Sequence, residues 1–143
     1  MTAPRDIFVP PGGPPRNAFD QRELFVLLGE DTIRRMLSLF YENLSDSGIA
    51  HLFPVEPEAR EAAAQRSADF FIQLMGGPPF YSERHGPPRM RMRHLPFEIT
   101  TGARDLWLEC FRDALDALPF PIEKRAAFEN FLEEFSAWMV NTA

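Results

Sequence analysis

Ile33, Met36, Leu37, Phe40, Tyr41 and Leu44 stand three and four residues apart over three turns, and that spacing commits the segment to an amphipathic helix. Asp31 and Thr32 offer its N-cap, and Asp46-Ser47-Gly48 ends it. The same period returns in three other places. A long helix is expected from Pro57 to Leu74, with Ala63, Ser67, Phe70, Phe71 and Leu74 on one face. Thr100 or Thr101 caps another, with Trp107, Cys110, Phe111, Ala114, Leu115 and Leu118 as its stripe. The last begins at Pro121 and buries Phe128, Phe131, Leu132, Phe135 and either Trp138 or Met139. A shorter helix is expected over Phe19 to Leu28, ended by Gly29, and a single tight turn over Ile49 to Phe53 before Pro54. No segment is β-rich, so the fold class is all-α.

Glycine and proline divide the rest. Five prolines and two glycines in residues 1–17 read as a loose leader, which leaves 18–143 for one domain of ordinary core size. Met75 to Arg89, MGGPPFYSERHGPPR, reads as a long loop, and long irregular connections inside small domains are usually functional. The net charge of -6 argues against nucleic acid or an anionic membrane as partner. No run approaches the roughly 20 apolar residues of a membrane span. The one cysteine, Cys110, cannot form an internal disulfide, which suits a reducing compartment, so the expected location is the cytoplasm.

The stretch RMRMRHLPF, from Arg89 to Phe97, gathers arginines around one of only three histidines. Its alternation suits a strand, but no partner strand is available. A short helix ending at His94 or Leu95 before Pro96 fits better. Three scattered histidines and one cysteine cannot make a zinc cage, and there is no HExxH and no glycine-rich phosphate loop. Haem iron is the metal that needs only one protein ligand, because the porphyrin supplies four nitrogens. Its two propionates are anionic, and arginine forks suit carboxylates. The 14 phenylalanines either fill the core or line a slot for such a planar group.

GGPPFYSERHGPPRMRMRHLPFEI followed by RDLWL, with Trp107 standing 13 residues after His94, resembles the group II truncated haemoglobins of bacteria. The resemblance covers about residues 30–140. It implies a two-over-two helical sandwich around haem b. His94 is then the proximal iron ligand, Tyr41 in FYENL the distal tyrosine, and Trp107 the distal tryptophan. Phe53 in HLFP packs on the haem face, Ala63 takes the distal gate position, and Ser67 follows one turn later. Arg66, Tyr81 and Arg93 are implied propionate contacts, and Phe70 and Phe97 complete the cofactor contacts. Ser67 departs from the family, which places a bulkier, usually apolar residue there. His51 and His85 are expected at the surface, with His51 becoming a sixth ligand only if its turn moves inward.

The implied function is reversible binding of O2 and other diatomic gases, for storage or transport. The alternative is a haem redox enzyme acting on peroxide or NO, with Tyr41 and Trp107 as oxidisable neighbours. A partner reductase, and a monomer or homodimer, belong to the same expectation.

Overall fold

The computed structural model describes residues 5–15 and 22–143. Seven helices follow in order: α1 (Arg22–Leu28), α2 (Glu30–Ser45), α3 (Pro57–Leu74), α4 (Phe80–His85), α5 (Met90–His94), α6 (Thr101–Asp116) and α7 (Ile122–Met139). A single 3₁₀ turn, Ala50–Leu52, lies between α2 and α3. Among the described residues there is no strand, and no helix is long and apolar enough to cross a membrane. The α2 and α3 helices pack as one pair and α6 and α7 as the other, with α2 also lying on α6. Ile33, Met36, Leu37, Phe40 and Leu44 of α2 are all buried, as their spacing requires. They meet Phe71 and Ile72 of α3, Phe111 and Leu115 of α6, and Phe128 and Leu132 of α7 in one core.

Local chemistry sets the helix ends. The α2 helix starts at Glu30, ahead of the expected Asp31 or Thr32 cap, because Gly29 at φ +82° turns the chain. Its N–H closes α1 on the Phe25 carbonyl at 2.8 Å, while its own carbonyl accepts from Ile33 at 3.2 Å. A side chain would be strained in that backbone conformation. Glu30 and Asp31 then place negative charge in the first turn, where the helix dipole favours it. Thr100 caps α6 as expected, its hydroxyl accepting from the Ala103 N–H at 3.1 Å. Pro121 sits just outside α7 as its N-cap, and at the other end Met139 rather than Trp138 is the buried residue. The expected start of the first helix at Phe19 lies outside the described residues.

The reading of the long loop needs correction. The stretch from Met75 to Arg89 is not all loop, for it contains α4. Its breakers, Gly76 to Pro79 and Gly86 to Pro88, lie on either side of FYSERH and leave one full turn between them. Gly77 is required where α1 crosses this segment, since a Cβ there would stand 2.6 Å from the Phe25 ring and 2.7 Å from the Ile72 side chain. Residues 5–8 of the leader are also held. The Phe8 N–H donates to the Asn141 carbonyl at 2.8 Å, and Arg5 donates to the Asn141 side chain at 3.0 Å.

A buried carboxylate joins α4 to the body. Asp69 of α3 is 4% exposed, and it accepts from Arg34 of α2 at 3.0 Å, from Arg84 of α4 at 3.0 Å and from His85 Nε2 at 3.1 Å. His85 is therefore half-buried and bonded, not a bare surface residue. Arg84 also lies 4.3 Å from the Phe80 ring centroid, which fixes α4 from its other end. Removing one partner of a buried pair costs about 3–5 kcal/mol, and the exposure of Arg84 and His85 reduces that here. Asp69→Ala is expected to lower unfolding stability by about 2–3 kcal/mol in urea denaturation. A loss below about 0.5 kcal/mol would show that the three partners of Asp69 are equally well served by water.

Candidate functional site

One cavity of about 550 Å³ opens between the two helix pairs. It is lined by all eleven residues singled out from the sequence: Tyr41, Phe53, Ala63, Arg66, Ser67, Phe70, Tyr81, Arg93, His94, Phe97 and Trp107. Helix periodicity explains much of this. Ala63, Ser67 and Phe70 share one face of α3. Tyr41 sits at the edge of the α2 stripe, beyond the fully buried Phe40.

His94, the last residue of α5, is partly buried, and its Nδ1 lies 2.6 Å from the Met90 carbonyl four residues earlier. A carbonyl oxygen only accepts, so Nδ1 carries the proton and Nε2 is left with a lone pair. Burial holds the imidazole below its usual pKa of 6.5, against the opposing pull of the Met90 hydrogen bond. The ring is therefore neutral at pH 7, the form that ligates a metal.

Aromatic packing fixes the polar groups of the cavity. The Phe40 ring meets Tyr41 edge-on at 5.6 Å and Trp107 edge-on at 5.3 Å. Phe53 packs on Tyr41 at 5.6 Å, and Phe135 lies 6.4 Å from Trp107. The Tyr41 hydroxyl and the Ser67 hydroxyl are 2.7 Å apart. Burial raises the Tyr41 pKa above 10, while the Ser67 bond and the charge of Arg66 pull the other way. Tyr41 therefore keeps its proton. The indole N–H of Trp107 has no hydrogen-bond partner among the described residues.

Arg66, Arg93 and Phe97 are exposed and border the opening, while Tyr81 is buried. Arg93 spends Nη2 on the His85 carbonyl at 2.7 Å and the Pro87 carbonyl at 2.9 Å, and leaves Nη1 without a partner among the described residues. Arg104, Ser136 and Met139 also line the cavity and were not singled out. Arg104 donates to the Ser136 hydroxyl at 3.0 Å and to the Glu133 carbonyl at 2.8 Å. The available signal was its position three residues before Trp107, on the same helical face. His51 also lines the cavity, from the exposed turn where it was expected.

A single imidazole does not complete a metal site. Among the described residues no three His, Cys, Asp or Glu side chains come together to hold an ion. A metal at His94 must bring its other donors with it, in a group that suits an aromatic slot with cationic side chains at its mouth. Haem meets each condition.

The bacterial-like globin family matches residues 23–141. The chain belongs to that family. The globin is 37% identical over 114 residues to the group 2 truncated hemoglobin YjbI of Bacillus subtilis, a match that covers 80% of this chain and 85% of that protein. The crystal structure of phosphate-bound Hell's gate globin IV superposes with a TM-score of 0.86 at 35% identity, covering 99% of this chain and 85% of the other. The truncated oxygen-avid haemoglobin from Bacillus subtilis does so with a TM-score of 0.76 at 35% identity, over 82% and 98% of the two chains. This globin is a group II truncated haemoglobin with the two-over-two fold, a haem protein that binds O2 and other diatomic ligands.

Proposed function

We propose that this cavity holds one haem b with His94 Nε2 as the only protein ligand to iron, and that Tyr41, Ser67 and Trp107 form the site that grips the gas. The observation that carries the proposal is the hydrogen bond from His94 Nδ1 to the Met90 carbonyl, which leaves the other ring nitrogen free as a donor to metal. Arg66 and the free Nη1 of Arg93 are the proposed contacts of the propionates, with Tyr81 beside them. A ferrous haem held by one imidazole supplies an open coordination position that takes O2, CO or NO.

The residues of the chain decide how firmly the gas is kept. Trp107 offers an N–H held in place by Phe40 and Phe135. Tyr41 offers one O–H, and its hydrogen-bond partner among the described residues is Ser67. With a polarised ligand present, the arrangement with most hydrogen bonds has Ser67 donating to the Tyr41 oxygen and Tyr41 donating to the ligand. Chains of donors of this kind strengthen one another. The Ser67 departure therefore makes Tyr41 a better donor. Two donors on one ligand mean slow release, so the proposed role is an oxygen-avid store or scavenger rather than a carrier.

Haem titrated into the purified chain, followed by reduction and CO, tests this reading. The expected result is a break at one haem per chain and a Soret band that shifts fully on CO addition. No break, or a CO-insensitive spectrum, would count against it.

A further inference from the structure

We infer that Arg5 and Asn141 are positioning residues for His94, so that the leader acts as a clasp on the proximal side of the haem pocket. The inference rests on the proposal that His94 ligates the iron. The α5 helix has five residues, with Pro87 and Pro88 shortly before it and Pro96 shortly after it. So short a helix has no stability of its own and takes its place from whatever holds it.

Asn141 is fully buried, and both ends of its side-chain amide bond to the segment that ends and follows α5. Nδ2 donates to the His94 carbonyl at 3.2 Å and to the Phe97 carbonyl at 3.0 Å. Oδ1 accepts from the Ile99 N–H at 3.0 Å and from Arg5 Nη1 at 3.0 Å. The other arm of Arg5, Nη2, donates to the Leu95 carbonyl and, at 3.3 Å, to the Phe97 carbonyl. The guanidinium of Arg5 and the amide of Asn141 thus hold the carbonyls of His94, Leu95 and Phe97 around the turn that ends α5.

A second tie runs parallel to the first. Arg91 of α5 donates to the Trp138 carbonyl, to the Val140 carbonyl at 3.0 Å and to the Phe8 carbonyl at 2.9 Å, with its guanidinium 4.4 Å from the Trp138 ring centroid. The proximal helix is therefore gripped by residues 5–8 and 138–141, which are also bonded to each other. The His94 ring is bonded to its own helix through Met90, so any tilt of α5 carries the ring with it. Residues 5–8 lie ahead of residues 23–141, the segment the family match covers. Metal-site partners outside the ligand shell typically alter metal affinity 10- to 100-fold.

The test compares the parent, Arg5→Ala, Arg5→Lys and Asn141→Ala, each in the full chain and loaded with haem. The readouts are the iron–histidine stretching band in the ferrous state and the rate of haem transfer to an excess of apomyoglobin. Asn141→Ala is expected to shift or broaden the band and speed haem loss by about 10- to 100-fold. Arg5→Ala, which removes a partly exposed side chain and leaves the core intact, is expected to do the same several-fold, and Arg5→Lys to recover part of both. Should Asn141→Ala fail to fold, Arg5→Ala decides alone. An Arg5→Ala protein with the parent's band and the parent's haem-loss rate overturns the clasp. A parent with no iron–histidine band overturns the underlying reading of His94 instead.

Discussion

His94→Gly is expected to leave a folded chain that no longer retains stoichiometric haem, and added imidazole is expected to restore it. The reasoning starts from the donor count. Besides His94, the cavity is lined by one other imidazole, that of His51, which stands on an exposed turn. Outer partners of metal ligands alone are worth 10- to 100-fold in affinity, so loss of the ligand itself should cost more than about a hundredfold. The aromatic walls remain, and with them weak apolar retention of the porphyrin. Free imidazole fits the space the side chain vacates and supplies the same neutral donor. The helical fold should persist, because His94 is not part of the core that joins α2, α3, α6 and α7. Circular dichroism checks the fold, and an optical titration checks the affinity. Unchanged haem affinity in this variant would move the ligand elsewhere.

Trp107→Phe and Tyr41→Phe are each expected to speed O2 dissociation by roughly tenfold or more in stopped-flow replacement by CO. A hydrogen bond to a charged acceptor is worth about 1.5–3 kcal/mol, and about 1.4 kcal/mol corresponds to a factor of ten. Phenylalanine keeps the ring contacts with Phe40 and Phe53, so the change removes the donor and little packing. Ser67→Ala is expected to speed release only a few-fold, because it takes away the support of Tyr41 rather than Tyr41 itself. The double variant should fall short of the product of the two single effects, since the donors share one acceptor. An unchanged rate in Trp107→Phe removes that residue from the account. A slower rate in Ser67→Ala would mean that Ser67 competes for the tyrosine proton instead of reinforcing it.

The long helices were legible because burial imposes a period on sequence. The bounds of α3 coincide with the expected Pro57 and Leu74, and Thr100 caps α6 as its side-chain chemistry suggests. His94 stood out as a candidate because a histidine among arginines, with no second ligand in reach along the chain, leaves few metals to choose from, and it does line the cavity. The α4 helix was hidden because one turn between two glycine–proline clusters has no period to detect. The clasp was hidden for a different reason. The bond from Arg5 to Asn141 spans 136 residues, and a leader rich in proline looks the same whether it is loose or tied. The partnership of Tyr41 with Ser67 lies between these cases. Ser67 could be seen as a departure from the family, but its partner sits on another helix, 26 residues away.

The crystal structure of the haem-loaded protein tests the central claim most directly. The account predicts electron density for iron bonded to Nε2 of His94, with Tyr41 and Trp107 on the opposite side of the porphyrin. Iron bonded to His51, or His94 turned away from a porphyrin seated in the cavity, would contradict it.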